Sequence, residues 1–145
     1  TSFSINNCFS ATYNNYRIIY DFTVADQNMN MRLRVGGTDN STANYDKQRF
    51  YCSGTTVQGQ KVQAATNWTD YLGSTGASFW VMDIFNPFVA AKTAAWLENG
   101  YNNATDPAFN LGSLQQRESI SFDGFTISGG NTMTGTCYVY GYSLS

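Results

Sequence analysis

Residue types that could do chemistry are few in this sequence, and no histidine is among them. That absence excludes Ser-His-Asp and Cys-His nucleophilic sites and every metal site that needs an imidazole ligand. The best catalytic candidates are then two carboxylates, Asp83 inside an apolar run and Glu118. A two-carboxylate glycosidase would need them about 5–9.5 Å apart. The expected role of Asp83 is instead that of a polar residue hydrogen-bonded at a strand end, and we expect no enzyme.

Oxygen ligands for calcium are the next candidate chemistry. Asp39, Asn40 and Asp46 surround a glycine-containing loop, but their spacing departs from the EF-hand pattern at several positions. We therefore expect neither a metal nor a cofactor.

The three cysteines, Cys8, Cys52 and Cys137, include no CxxC spacing, and any intramolecular pairing leaves one over. We expect free thiols buried in strands. Cys137 has no neighbouring base in the sequence, so a structural role is expected for it rather than a nucleophilic one.

Four aromatic residues lie in or beside predicted loops, where the sequence gives no sign that they are buried in the core. One interpretation is a surface that stacks on a glycan or contacts a receptor. The other is that they cap the open end of the fold or are buried between subunits. These residues are Trp68, Tyr71, Trp96 and Tyr101.

Composition favours sheets joined by turns within one domain spanning residues 1–145. Of the 145 residues, 42% are hydrophobic and 16% aromatic, enough for one core, while only 12% are charged. A net charge of −2 offers no basic footprint for nucleic acid. The longest apolar run, Phe79–Phe85, is interrupted by Asp83 and is too short for a membrane span.

Alternation with a period of two marks two strands near the chain ends. In the first, Tyr16, Tyr20 and Phe22 share a face; in the last, Thr132–Leu144, so do Tyr138, Tyr140 and Tyr142. We predict that these aromatic rows form the core or a subunit contact. The opposite face of the last strand carries Met133, Cys137, Val139 and two glycines.

The segments between them predict further strands. We expect hairpins at Ala25–Asn28 and Asp123-Gly124, a strand over Ala77–Phe85 covered on both faces, and a loop over Asn99–Pro107. Residues 88–97 fit either a strand or a short helical turn. The predicted fold is all-β: an antiparallel β-sandwich of jelly-roll type with eight to ten strands and little helix.

Four phrases, in this order, carry a resemblance to a known family. They are FSATYNNYRIIY, MRLRVGGTDNSTANY, DIFNPF and SFDGFTISGGNTMTGTCYVYGY, and they span roughly Phe9 to Tyr142. The chain resembles a domain common in structural proteins of tailed bacteriophages.

The resemblance implies a non-enzymatic protein on the virion exterior, commonly trimeric, whose partners are other virion proteins such as the major capsid, fibre or tail proteins. Fibre versions of this domain usually carry more chain before the opening phrase, whereas only eight residues precede Phe9. The resemblance therefore favours a head decoration (cement) protein over a fibre tip. The alternative is the receptor-binding tip of a tail or head fibre, which contacts host surface glycan.

Overall fold

The computed structural model describes residues 2–25, 29–68, 75–103, 106–130 and 132–143. These residues form eleven strands and no helix. The strands are β1 (Ser2–Ile5), β2 (Asn15–Ala25), β3 (Asn30–Val35), β4 (Thr38–Asp39), β5 (Tyr45–Ser53), β6 (Thr56–Ala65), β7 (Thr75–Phe85), β8 (Ala91–Asn103), β9 (Asp106–Ile120), β10 (Gly124–Ser128) and β11 (Met133–Tyr142).

The strands make two antiparallel sheets that pack face to face, so the predicted all-β sandwich is confirmed. The small sheet has the order β1-β10-β3-β4, and the large sheet has the order β11-β2-β7-β8-β9-β5-β6. One strand more is present than the eight to ten predicted, because the two-residue β4 lies in what reads as a polar loop.

The core is built from the alternating inward side chains of both sheets, as period-two strands require. Phe9 stacks on Phe125 at 5.9 Å between ring centroids, and Tyr20 on Trp80 at 5.8 Å. Fully buried large side chains include Trp68, Trp80, Tyr45, Phe9, Phe22, Phe122, Phe125, Ile18, Met29, Met31 and Leu33.

Both hairpin predictions are wrong. β2 lies in the large sheet and β3 in the small one, and the same is true of β9 and β10. The chain therefore crosses between sheets from β2 to β3 and, through residues 121–123, from β9 to β10. Residues 26–28 of the first predicted hairpin turn lie outside the described residues, and Gly124 of the second belongs to β10. The structure also places Asn99–Asn103 in β8 and Asp106–Pro107 in β9, where the sequence predicts a loop.

The ambiguous segment 88–97 is a strand from Ala91 onwards, with no helical turn among its described residues. The prediction that Ala77–Phe85 is covered on both faces is also wrong. In β7 the side chains of Trp80, Met82 and Ile84 are fully buried, while Phe79 remains 58% exposed on the other face. The strand does end at the predicted Asn86-Pro87, where Asn86 has a φ of 55°.

The outer face of the small sheet is held by one arginine. Arg34 donates from Nη1 to Ser4 Oγ at 2.9 Å and to Thr126 Oγ1 at 2.5 Å, and from Nε to Asn6 Oδ1 at 2.8 Å. It also pairs with Asp39. One guanidinium thus connects β1, β3, β4 and β10.

Candidate functional site: the outer face of the large sheet

Side chains pointing away from the core line up in rows across the seven strands of the large sheet. One row joins Tyr140, Arg17, Asp83, Trp96 and Ser113, because these residues are successive register partners on β11, β2, β7, β8 and β9. An ion pair therefore lies at the centre of the row with an aromatic residue on either side. We call these first four residues the central row.

The ion pair of the central row has two-point geometry. Arg17 donates from Nε to Asp83 Oδ1 at 2.9 Å and from Nη2 to Asp83 Oδ2 at 2.6 Å. The hydrogen bond and the charge of Asp83 raise the pKa of Arg17 above its ordinary value. Tyr142 also donates its hydroxyl to Asp83 Oδ1 at 3.4 Å. The carboxylate is thus held by two side chains.

The aromatic flanks of the row face solvent. Trp96 is 44% exposed, and Tyr140 is 54% exposed and stacks on Tyr138 with 6.3 Å between centroids. Beside the ion pair, Arg17, Tyr140 and Tyr142 line a shallow recess of about 350 Å³. On the far side of Trp96, a groove of about 480 Å³ runs towards Phe50 and Leu111. Both depressions are open to solvent.

A second feature of this face is apolar. The ring of Phe79 lies over Gly100, whose register partner on the next strand is Phe109. Phe109 packs against Phe50 at 6.4 Å between centroids, and Val57 on β6 is 66% exposed. We call Phe50, Phe79, Phe109 and Val57 the apolar stripe. Contiguous exposed apolar residues of this kind mark interaction surfaces more often than solvated ones.

Trp68 is not part of any exposed surface, so its prediction as a glycan or partner contact is wrong. The residue is 1% exposed, packs edge-on against Tyr45 at 5.4 Å and donates from Nε1 to Gln115 O at 3.2 Å. Its backbone exchanges two hydrogen bonds with Met31, at 2.9 and 3.0 Å. A loop residue is thereby drawn into the core by pairing with a strand distant in sequence.

The other three predicted loop aromatics differ in their location and in whether the structure describes their side chains. Trp96 is accessible, but it stands on β8 rather than in a loop. Tyr101 also lies in β8, and its side chain is outside the described residues, as is the whole of Tyr71. Among the predicted contact residues whose side chains the structure describes, Trp96 is exposed and Trp68 is buried.

The two predicted aromatic rows take different roles. Tyr16, Tyr20 and Phe22 are buried in the core, which is one of the two roles predicted for this row. On β11, Tyr138 and Tyr140 point outwards and Tyr142 is half-buried beside Asp83. Met133, Cys137 and Val139 pack instead on the core, as their alternation predicts.

The two candidate carboxylates lie on opposite faces of the large sheet. Asp83 belongs to the outer face, whereas Glu118 shares the inner face of β9 with the buried Gln116, whose Nε2 donates to Glu118 Oε2 at 2.9 Å. They cannot flank one glycosidic bond, and the idea of a two-carboxylate site formed by this pair is wrong.

Glu118 instead organises the polar segment before β5. Its Oε2 accepts hydrogen bonds from Asn40 Nδ2 and Thr42 Oγ1, each at 2.7 Å. Burial acts to raise the pKa of Glu118, but the hydrogen bonds outweigh it and hold that pKa below its ordinary value. The role of Glu118 in this arrangement is to anchor a loop.

The three residues considered for calcium have separate partners. Asp39 pairs with Arg34, Asp46 pairs with Arg117 at 3.2 Å, and Asn40 donates to Glu118. Within the described part of the chain, no group of three His, Cys, Asp or Glu side chains could hold a metal ion.

All three cysteines are free thiols, as predicted, and each is half-buried rather than fully buried. Cys52 and Cys137 lie in strands, whereas Cys8 lies between β1 and β2, so the predicted strand position is wrong for Cys8. Burial raises the pKa of Cys8 to about 12 and that of Cys137 to about 11. Both thiols therefore stay protonated at neutral pH and are poor nucleophiles.

Sequence reasoning missed the central ion pair and the apolar stripe. Each depends on strand register, which brings Arg17 opposite Asp83 although 66 residues separate them. The available signal was the outward position of Phe79 in an alternating run, but an almost continuous apolar segment hides that alternation.

The fold is an all-β sandwich, and the outer face of its large sheet is a wide surface that carries both apolar and polar side chains. No family model and no curated protein matches the chain. One solved structure similar to it is CG-16, a homodimeric agglutinin from chicken liver, at 10% identity and a TM-score of 0.45. The match covers 97% of this chain and 100% of that one, and at this TM-score it carries no argument about function. No helix in the described residues is long and apolar enough to span a membrane.

Proposed function

We propose that the chain is a non-enzymatic structural protein on the exterior of a tailed-phage virion, a homotrimeric head decoration protein that stabilises the capsid. Its resemblance to phage structural domains supports the class. The observation that carries the mode of action is the outer face of the large sheet, where the apolar stripe stays exposed on a rigid sheet.

Physical reasons favour this face as the capsid contact. Strand side chains are held by the ladder beneath them, so the face binds without a large ordering cost. Phe50, Phe79 and Phe109 supply apolar area, and the central row beside them supplies polar groups. A stable contact buries about 800 Å² on each partner, which a face of several strands can provide.

Binding to capsids stripped of their decoration tests this proposal. We expect the purified protein to bind stripped heads and to raise the temperature at which they disassemble. Val57→Lys, on the apolar stripe, should abolish binding. The matched control is Val89→Lys, because Val89 is also exposed but lies outside the sheet. Failure of the unaltered protein to bind, or equal loss with both variants, would overturn the proposal.

The trimer is tested separately by light scattering on the free protein and by mass analysis of bound subunits. A threefold stoichiometry on the capsid supports it. Bound monomers would remove the trimer from the proposal while leaving the decoration role intact.

A second candidate function is supported by the central row. Aromatic faces beside paired polar groups suit a sugar ring, which presents an apolar face and a rim of hydroxyls. Trp96 could stack on such a ring while Arg17 and Asp83 hydrogen-bond its hydroxyls. The protein would then be the glycan-binding tip of a fibre.

Glycan and host-cell binding distinguish this candidate from the first. If it holds, Trp96→Ala removes binding to host surface glycan while Phe79→Ala, at an exposed aromatic of the same face that does not line the groove beside Trp96, retains it. No binding to cells or to a glycan array by the unaltered protein would exclude this candidate.

A further inference from the structure

The two sheets present four edge strands, and these differ in how far they can pair with another chain. An edge strand exposes unpaired N–H and C=O groups, which proteins usually shield by shortness, charge, proline or a bulge. The edges in the described part of the chain are β1 and β4 in the small sheet and β6 and β11 in the large one.

Three of these edges carry a shielding feature. β1 has four residues and β4 only two, too few for a stable added strand. β6 is ten residues long, but its pairing with β5 shifts register at Tyr45/Lys47, and it contains one charged residue, Lys61. Ala64, near its end, has a φ of 55°, which interrupts the extended backbone.

β11 has none of these features. It pairs with β2 over ten successive residues, Met133 to Tyr142, with no register shift. No charged residue and no proline occurs in its sequence, MTGTCYVYGY. Its free side is therefore a regular, uncharged ten-residue edge, a template for one more antiparallel strand.

The side chains of β11 suit the same purpose. On the outer face, Tyr138 and Tyr140 stack in parallel and stay 48% and 54% exposed. On the inner face, Cys137 and Val139 already pack on the protein's own core. The side chains of an added strand would pack beside the tyrosines on the outer face and leave the core undisturbed.

We propose that β11 pairs antiparallel with β11 of a second copy across a two-fold axis, joining the two large sheets into one. A copy fits because an uncharged strand meets no like-charge repulsion from itself. A two-fold axis perpendicular to the sheet also sets tyrosines of one copy against tyrosines of the other on the same face.

This contact is independent of the proposed virion role and of the threefold association. A strand pair closes after two copies, so β11 alone gives a dimer, whereas together with a threefold contact the smallest closed assembly is a hexamer. The mass of the assembly distinguishes these states, and failure of either association leaves the other measurable.

Sedimentation over a range of protein concentrations, with two matched double variants, tests the pairing. The edge variant is Thr134→Lys with Tyr138→Lys. The control is Thr23→Lys with Ile19→Lys, because Thr23 and Ile19 are the register partners of those residues on β2 and share their face. The two pairs of lysines lie in the same rows on the same face, one pair on the edge strand and the other one strand further in. The replaced residues match in one row, Thr134 and Thr23, and differ in the other, Tyr138 and Ile19.

We expect the unaltered protein and the control to associate, and the edge variant to lose the twofold step while melting as a folded protein. The proposal is overturned if the unaltered protein does not form two-fold assemblies, if the edge variant still forms them, or if both variants lose them.

Cysteine cross-linking gives a second readout that does not depend on a charged variant. In an antiparallel pair about a two-fold axis, a residue near the axis faces its own copy, and Cβ atoms opposite each other are about 5 Å apart. Among Thr136→Cys, Tyr138→Cys and Tyr140→Cys, disulfide-linked dimer should peak at one position and fall off at the others. Equal cross-linking at all three positions contradicts the pairing.

Discussion

Arg17 and Asp83 form a two-point ion pair across β2 and β7, at the centre of the exposed face of the large sheet. The side chain of Arg17 is 53% exposed, while that of Asp83 is only 17% exposed. Removal of the arginine therefore leaves a largely covered carboxylate without its main partner.

A double-mutant cycle on this pair should give a coupling of about 0.5–1 kcal/mol, the upper part of the range for surface pairs, because the geometry is bidentate. Arg17→Ala, Asp83→Ala and the double variant are compared by urea unfolding. The coupling should shrink in 1 M salt, where screening acts within about 3 Å. A coupling that salt leaves unchanged would contradict a solvent-screened pair.

Two tryptophans predicted as surface contacts should behave in opposite ways on removal. Trp68→Ala opens a cavity in the core and should cost about 3–5 kcal/mol of unfolding free energy. Trp96→Ala, on the exposed face, should cost less than about 1 kcal/mol. Thermal and urea unfolding of the two variants check this. Equal losses would contradict the burial of Trp68, and any binding assay that uses Trp68→Ala must first establish that the variant folds.

Alternation let the sequence predict the inward face of β2 and separate the two faces of β11, since that pattern is local. It left open whether the tyrosine face of β11 is buried in the core or is a contact surface. It could not predict which sheet each strand joins. A turn signal such as Asp123-Gly124 shows that the chain reverses, but the strand after it pairs with β1 and β3, far away in sequence. Hairpins were predicted where the chain crosses between sheets.

Polar residues inside strands explain the missed ends of β8 and β9. Asn99 and Asn110 are buried at 1% and 3% exposure and lie opposite each other. An asparagine-rich segment is typical of a loop when read alone. This segment is a strand because it pairs in register with β9, and the local sequence does not reveal that pairing.

Glu118 should make stability depend on pH in the acid range. Its pKa is held below the ordinary value in the folded protein, because hydrogen bonds from Thr42, Asn40 and Gln116 outweigh burial. The unfolded chain therefore binds a proton first as the pH falls. The resulting stability is fully present above the unfolded pKa and is lost as the pH drops through the folded one.

Glu118→Gln should flatten the decline in melting temperature as the pH falls below about 4.5, the ordinary value for this group. Glu98→Gln is the control, because Glu98 is exposed on the outer face. If Glu118→Gln leaves the decline in melting temperature at acid pH unchanged, other groups cause that decline.

Gly124 is required for the close approach of two strands at the start of β10. A Cβ at this position would clash with the backbone oxygen of Ile5 and lie 3.1 Å from the Cα of Asn6. Because the obstacle is backbone, Gly124→Ala must displace β1 and should cost about 1–3 kcal/mol. Gly59→Ala is the control, since a Cβ there meets only Arg49 O at 4.0 Å. Urea unfolding measures both, and equal effects would contradict the clash.

The hydroxyl of Tyr45 connects β3 to the polar segment after it. It accepts a hydrogen bond from Leu33 N at 3.1 Å and donates one to Asn40 O at 3.0 Å, while the residue is fully buried. Tyr45→Phe keeps the ring packed on Trp68 but deprives a buried N–H and a carbonyl of their partner. The expected loss is about 1–3 kcal/mol of unfolding free energy. Tyr140→Phe, on the exposed face, should change stability by less than about 0.5 kcal/mol. If the two variants unfold at the same urea concentration, the hydroxyl of Tyr45 does not stabilise the join between β3 and the loop.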